Sequence, residues 1–457
     1  MNLPKKLTIK LKSREENNSL RTLKTPSNLV DFSSNDYLGF AKSSVIFENT
    51  HQFLVDKNSK QNGVTGSRLL SGNHFLYNET ETLLSNFHQT ESATIFNSGY
   101  DANIGFFSAV PQRGDIILYD EFIHASIRDG IQLSNAKSFK FSHNDLDSLE
   151  ERLLHFIRND KSDIYVVTES VFSMDGDSPD LVTMSQIINK NNAFLIVDEA
   201  HAIGVFGENG VGIVQELNLQ NDVFARIITF GKALGCHGAA ILGSKELQKY
   251  LINFARSFIY TTGLSPHSLA TIKVAYDEML KQVLQDNINL SENIHHFKKE
   301  IKRLNLNFIQ SDSAIHCCVI PGNEKIKGIS EKLQEKGFDV TGKVSQNLLN
   351  QMRVLNSQAS PSNNEINTEN QSIKNVNDYS KREILEWYRS SEEYSRHAII
   401  EIKYRPNLIP TDGRRLLAFG NRYFKGLFKG LNGKEETDFE IHRNKEKWIQ
   451  DIAYLAS

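Results

Sequence analysis

Nearly unbroken apolar runs at 93–96, 115–120, 163–169, 193–198 and 227–230 each stop abruptly at polar or glycine residues, and helix-length stretches separate them. A strand that is apolar on both faces needs cover on both, and helical returns between consecutive strands supply it. The pattern predicts an α/β fold whose mainly parallel sheet lies between helical layers. Ligands of such sheets bind beyond the carboxyl ends of the strands. The polar clusters of this chain gather at those ends.

The last of these runs leads into Thr229-Phe230-Gly231-Lys232-Ala233-Leu234-Gly235. A lysine that a strand end delivers into a glycine-flanked loop is placed to condense with a carbonyl cofactor. A surface lysine in a turn is the plainer alternative. The run at 193–198 ends in Asp198-Glu199-Ala200-His201, where Asp198 is open to three roles: metal ligand, orienter of a histidine, or partner of a cofactor nitrogen. The same four letters occur in helicases, but no phosphate-binding lysine loop accompanies them here. A zinc site would need further ligands at suitable spacing, so no metal is expected.

At 96–100, Phe-Asn-Ser-Gly-Tyr turns a strand into a helix, whose opening amides form either an anion site or an ordinary cap. His124 follows another strand and starts a helix, facing a cleft or sitting satisfied in the core. The glycine- and hydroxyl-rich loop at 63–73 suits close approach to a ligand or a partner subunit. A helix is expected over 3–23, ended by Pro26, then a short strand breaking into the turn-forming 33–36 and an amphipathic helix over 76–88.

Fifty-two basic and 55 acidic residues leave a net charge of −3, a balance that favours neither nucleic acid nor an anionic membrane. Three cysteines are too few and too poorly spaced for a disulfide framework, and Cys317 and Cys318 fall in what reads as a buried strand. No apolar stretch approaches the roughly 20 residues needed to span a bilayer, and the amino terminus lacks a signal-peptide pattern. A cytoplasmic location is expected.

Taken in order, SSNDYLG (33–39), GSRLLSGN (66–73), FNSGYDAN (96–103), HASIRDG (124–130), HND (143–145), VFSMDGD (171–177), DEAH (198–201) and TFGKALG (229–235) resemble the pyridoxal-phosphate-dependent α-oxoamine synthases. The resemblance runs from about residue 20 to 340. It implies a fold-type I transferase with a smaller carboxyl-terminal α/β domain, acting as a homodimer whose active site is shared between subunits.

Carried over residue by residue, Lys232 matches the cofactor-bearing lysine and general base, and Asp198 the carboxylate on the pyridine nitrogen. His201 matches the residue at the phenolic oxygen and His124 the ring stacked on the cofactor. Gly99, Tyr100 and Thr229 match phosphate contacts, Ser173 a side chain beside the cofactor, and Arg21, Asn35 and His124 substrate contacts. The implied reaction joins an amino acid to an acyl thioester with loss of carbon dioxide. The strings at 96–103 and 229–240 favour the biotin-pathway branch, with L-alanine and a pimeloyl group on coenzyme A or acyl carrier protein. Glycine acetyltransferase, aminolevulinate synthase and serine palmitoyltransferase share the same cofactor residues.

After residue 340 the resemblance stops. The expected division is an amino-terminal segment (1–55), a large cofactor domain (56–290), a partial small domain (291–344), a Ser/Asn-rich linker (345–379) and a divergent tail (380–457), helical over 380–403. Residues 404–416 faintly echo the family's ending. Without that ending the chain would lack the arginine that binds the amino-acid carboxylate, and a cofactor-binding protein with poor turnover is the alternative.

Overall fold

The computed structural model describes residues 3–23, 28–157, 162–304, 306, 308–343 and 397–403. In chain order the strands are β1 (Val30–Asp31), β2 (Ser92–Phe96), β3 (Ile116–Asp120), β4 (Lys137–Phe141), β5 (Ile164–Glu169), β6 (Phe194–Asp198), β7 (Ala225–Thr229), β8 (Ala239–Gly243), β9 (Ile315–Pro321), β10 (Phe338–Asp339), β11 (Thr341–Lys343) and β12 (His397–Lys403).

The apolar runs become the main sheet, with strand order β2-β8-β7-β6-β5-β3-β4. Every pairing from β7 through β4 is parallel, and β8 is antiparallel to both its neighbours. β2 therefore runs the same way as β7, and its carboxyl end lies on the same edge as those of β3, β5, β6 and β7. Strands β2, β5, β6 and β7 are buried along almost their whole length. Burying one Ile or Val side chain fully contributes about 1.5–3 kcal/mol, so the continuous apolar runs are what fix this sheet as an inner layer. Helices Gly99–Ala109, Ala125–Leu133 and Lys245–Phe254 pack with one set of strand side chains around Phe106, Phe107 and Ile227. Helices Leu146–Phe156 and Leu181–Lys190 pack with another set around Leu118, Val166 and Val197.

The amino-terminal helix is shorter than its sequence pattern suggested. It spans Lys5–Glu16 and buries none of its residues. Asn18 takes a left-handed φ of 49° and the Ser19 amide bonds back to the Arg14 carbonyl, which ends the helix well before Pro26. The helix expected over 76–88 forms as Phe75–Phe87. One 38-residue helix, Pro266–Arg303, crosses position 290.

The tail holds the largest departure. Part of the stretch expected to be helical is β12, which pairs antiparallel with β9 and β11 and is the middle strand of a three-stranded sheet. Its sequence, HAIIEIK, carries three isoleucines in seven residues. β-branched residues fit a pleated surface better than a helix, and the neighbouring β9 and β11 supply hydrogen-bonding edges. Residues 380–396, the linker at 345–379 and the echo at 404–416 lie outside the described residues. Cys317 and Cys318 fall in β9 and are buried.

Candidate active site

The carboxyl ends of five strands, β2, β3, β5, β6 and β7, converge. β6 ends at Asp198, which is 5% exposed. Its Oδ2 accepts a hydrogen bond of 2.9 Å from Asn103 Nδ2, and its Oδ1 accepts one of 2.9 Å from the Ala200 amide. Three residues on, His201 is buried with Nδ1 2.7 Å from the Tyr37 hydroxyl and Nε2 hydrogen-bonded to Lys232 Nζ. Lys232 follows β7 and is half-buried. Gly235, with φ of 62°, lets this turn close on the segment carrying Tyr37, since a Cβ there would lie 2.2 Å from the Ala41 amide nitrogen. Only glycine tolerates both the conformation and the approach.

His124 comes from the turn after β3. Its backbone amide donates to Glu169 Oε1 at 2.5 Å, and its ring Nδ1 lies 2.7 Å from Ser126 Oγ. The Ser126 hydroxyl in turn accepts from Asn103 Nδ2 at 3.0 Å. One amide, Asn103, thus holds both the Asp198 carboxylate and the serine that orients His124. His124 is exposed as a residue, though protein packs around much of its ring. Burial by the surrounding protein, then the Lys232 charge, lower its proton affinity, against a smaller opposing pull from Asp198 and Asp129.

Glu169 ends β5 directly beside Asp198 in register and is 2% exposed. Burial, then the Asp198 charge, push its carboxyl up to about 8, although Lys232 and the His124 amide pull the other way. It therefore keeps its proton at neutral pH, where ordinary carboxylates are ionised.

The anion end of the site lies at β2 and β7. Ser98 caps helix Gly99–Ala109, its hydroxyl accepting from the Asp101 amide and donating to Asp101 Oδ2. Gly99 faces Thr229, whose Oγ1 would be 3.6 Å from a Cβ built on the glycine. First-turn amides and a threonine hydroxyl thus meet at one place. Tyr100 is 47% exposed, with its hydroxyl donating to Asp129 at 2.6 Å. That hydrogen bond raises the phenol above its usual range.

A fully opposite fate meets Glu199, the second letter of DEAH. It points away from Asp198 into a buried pair with Arg226, at 2.7 and 2.6 Å, both side chains being about 1% exposed or less. Beside the cluster, His143 bridges Asp120 and Asp177 at 2.9 Å each and stacks on Phe122. Burial alone would lower its proton affinity, but the two carboxylate bonds outweigh it and hold it up to about 10. Asp175 lies in the same group. Both His143 nitrogens are engaged by carboxylates, so the group reads as an ion-paired brace.

Of the residues singled out in the sequence, the structure gathers Asp198, His201, Lys232 and His124 into one connected cluster, with Gly99 and Thr229 together at its anion end. Asn35 joins through its Oδ1, 3.4 Å from the Tyr37 hydroxyl. Ser173 lies half-buried in the turn after β5. Arg21 is exposed beyond the amino-terminal helix, away from the bonds that link the rest. Tyr37, Asn103, Ser126 and Glu169 were missed. Three of them stand inside the motif strings, and Glu169 is a carboxylate closing an apolar strand, which is itself a signal of function or of a buried partner.

Residues 27–361 match the family model described as aminotransferase class I and II. The chain belongs to the aminotransferase class I and II family. It is 42% identical over 315 residues to the 8-amino-7-oxononanoate synthase of Emericella nidulans, a match covering 65% of this chain and 75% of that protein. Among solved structures it is similar to the Sphingomonas wittichii serine palmitoyltransferase, with a TM-score of 0.73 at 22% identity over 93% of this chain and 99% of that one. It is also similar to the Francisella tularensis 8-amino-7-oxononanoate synthase, with a TM-score of 0.64 at 23% identity over 93% and 98%. The family match and the 8-amino-7-oxononanoate synthase relative agree with the α-oxoamine synthase resemblance of the motifs, and the two solved structures share the fold.

Proposed function

We propose that this enzyme is a pyridoxal-phosphate-dependent acyltransferase that condenses L-alanine with a pimeloyl thioester to give 8-amino-7-oxononanoate, in biotin biosynthesis. The observation that carries the reading is the convergence of Lys232, His201, Asp198 and His124 on one edge of the sheet, in a chain 42% identical to a synthase of that name.

The residues present fit the cofactor. A buried carboxylate, a half-buried lysine and a helix amino terminus facing a threonine hydroxyl are the donors and acceptors that a pyridinium, an aldehyde and a phosphate require. Pyridoxal phosphate, when bound, supplies an electron sink for the carbon next to the amino group. The protein's share is binding, orientation and proton handling. Asp198, fixed by Asn103 and the Ala200 amide, would pair its carboxyl with the ring nitrogen. Gly99, Tyr100 and Thr229 would hold the phosphate. His124, anchored by Ser126 and the Glu169 carboxyl, would lie beside the cofactor and orient the substrate. Ser173 and His201 would also contact the cofactor. Lys232 would hold the cofactor's aldehyde carbon and serve as the base for the α-proton. Asn35 and Arg21 would contact substrate.

A homodimer is part of this reading. Leu69 and Leu70, 50% and 84% exposed, lie within the glycine loop at 63–73, and Tyr260 at 73% is three residues before Gly263, whose amide bonds the Gly66 carbonyl. A second copy covers this apolar surface and completes the site.

The test is direct. Purified protein given pyridoxal phosphate should gain the visible absorption of a lysine-bound cofactor, and L-alanine with pimeloyl-coenzyme A should release thiol faster than glycine or serine. Cofactor binding without thiol release for any of the three amino acids would sink the synthase reading. No absorption change would remove the cofactor role as well.

A further inference from the structure

We propose that Ser126 and Asn103 are positioning residues that lock the His124 ring as the neutral imidazole with its proton on Nε2, so that His124 meets the substrate as a hydrogen-bond donor and not as a base. That the ring meets substrate at all rests on the functional reading above.

Two donors of one residue reach a single nitrogen of this ring. The Ser126 backbone amide donates to His124 Nδ1 at 3.2 Å, and Ser126 Oγ lies 2.7 Å from the same atom. A hydroxyl can donate or accept, so its contact alone leaves the ring open. A backbone amide can only donate, and the atom it addresses must offer a lone pair. Nδ1 is therefore bare, and the ring carries its one hydrogen on Nε2. Protonating the ring would set Nδ1–H against the amide hydrogen and break that bond.

With no hydrogen on Nδ1, the 2.7 Å contact is donated by the Ser126 hydroxyl, and Oγ is left to accept. Asn103 Nδ2 donates to it at 3.0 Å. The other side of Asn103 sets the direction of its amide, because the same nitrogen donates to Asp198 Oδ2 at 2.9 Å. Turned over, the amide oxygen would face a carboxylate, acceptor against acceptor. One hydrogen thus serves Asp198 and the other serves the serine. Asn103, Ser126 and Asp198 are 2%, 1% and 5% exposed, which keeps water from competing freely for these bonds. Charged groups around the ring come from several elements: Lys232 after β7, Asp198 ending β6, Asp129 on the ring's own helix, and Glu169 ending β5, which accepts the His124 amide. Asp198 and Asp129 favour the imidazolium, while burial and Lys232 oppose it. Ser126 opposes it through directed bonds, and Asn103 aims the hydroxyl that makes one of them.

The experiment needs neither cofactor nor turnover. In cofactor-free protein with ring-15N histidine, assigned through His124→Gln, NMR reads which nitrogen carries the hydrogen. Deuterium uptake at the carbon between the two nitrogens, followed across pH by peptide mass spectrometry, gives the His124 titration midpoint, with exposed His51 as internal control. Wild-type protein at neutral pH should show Nδ1 bare and Nε2 protonated. Ser126→Ala should raise the midpoint by about 0.5–1 pH unit, and Ser126→Thr, which restores a hydroxyl, should bring it back. Asn103→Ala should raise it too, but much less in the Ser126→Ala background, because it reaches the ring through that hydroxyl. A role in packing alone would not produce this pattern. Hydrogen on Nδ1 in the wild type overturns the proposal without any variant of Ser126 or Asn103 having to fold. An unchanged or lowered midpoint in Ser126→Ala, or an Asn103→Ala shift undiminished without the serine hydroxyl, would overturn it as well. Cofactor absorption, measured separately, reports on the functional reading alone.

Discussion

Replacing Arg226 with alanine tests whether Glu199 belongs to the fold or to the chemistry. The guanidinium reaches Glu199 Oε2 through Nε at 2.7 Å and Nη2 at 2.6 Å, the His88 carbonyl through Nη1 at 3.2 Å and the Val211 carbonyl at 2.9 Å. Glu199 Oε1 is held by the Val214 amide at 2.9 Å. Removing the arginine leaves a carboxylate at 0% exposure with one backbone donor. Breaking one half of such a pair costs about 3–5 kcal/mol, because the partner stays charged and desolvated. At about 2–4 °C per kcal/mol for a large domain, the thermal midpoint should fall on the order of 6–20 °C. The double variant Arg226→Met with Glu199→Met removes the stranded charge and should recover part of that loss. Cofactor affinity, measured well below either midpoint, should be close to wild type, since the pair points away from Asp198. A midpoint loss under about 2 °C, or a double variant no better than the single one, would refute the account. Lost cofactor affinity in a well-folded Arg226→Ala would put Glu199 back into the site.

The His143 brace has a pH signature. Its folded-state value near 10 lies above the ordinary 6.5, so its stabilisation is full below about 6.5 and fades as pH climbs toward 10; His143→Gln should cost more in denaturation midpoint at neutral pH than at the alkaline end. Glu169 works in the opposite sense. Its carboxyl titrates at 4.5 ordinarily and near 8 when folded, so wild-type stability should drop relative to Glu169→Gln as pH rises from 4.5 toward 8, and the two thermal-melt curves should meet at the acid end. Replacing residues 345–395 with an Asn-Gly turn should retain cofactor affinity and raise stability by about 2 kcal/mol through shorter loop closure. Ending the chain after Lys343 should lower the melting temperature and weaken cofactor binding, because β12 is the middle strand of its sheet.

The sequence made the main sheet legible because its strands are apolar on both faces, and no other layer arrangement hides such runs. It made Lys232, Asp198 and His201 legible because each is a charged or titratable residue placed immediately after one of those runs. Tyr37, Asn103 and Ser126 were harder. Each is a common capping or packing residue, and its importance lies in a bond to something far away in sequence, such as the 95-residue span from Asn103 to Asp198. Glu199 shows the converse difficulty. It is adjacent to Asp198, yet successive residues at a strand end point to opposite sides, and only the location of Arg226 reveals that its side is the core.

The tail needed the neighbours that the local pattern does not show. An isoleucine-rich heptad after a helix-like stretch is open to either structure, and the edges of β9 and β11 decide it. Antiparallel pairing sets Lys403 opposite Ile315 and His397 opposite Pro321, so β12 runs toward the start of β9. That start is packed on the loop after β5. A Cβ on Gly176, held at φ of 74°, would lie 2.2 Å from the Ile315 carbonyl oxygen, and Ser311 donates to the Gly176 carbonyl at 2.7 Å. The loop in question is the one carrying Ser173. Chain direction therefore leads β12 toward the active-site edge of the large sheet, and Lys343 and Ile399 stand paired across the point where residues 344–396 leave and return. An insertion between two strands that pair with each other can be long without altering the sheet that the strands build. β12 thus gives the carboxyl-terminal sheet a middle strand drawn from the tail, while residues 404–416, where the family's ending is faintly echoed, lie outside the described residues.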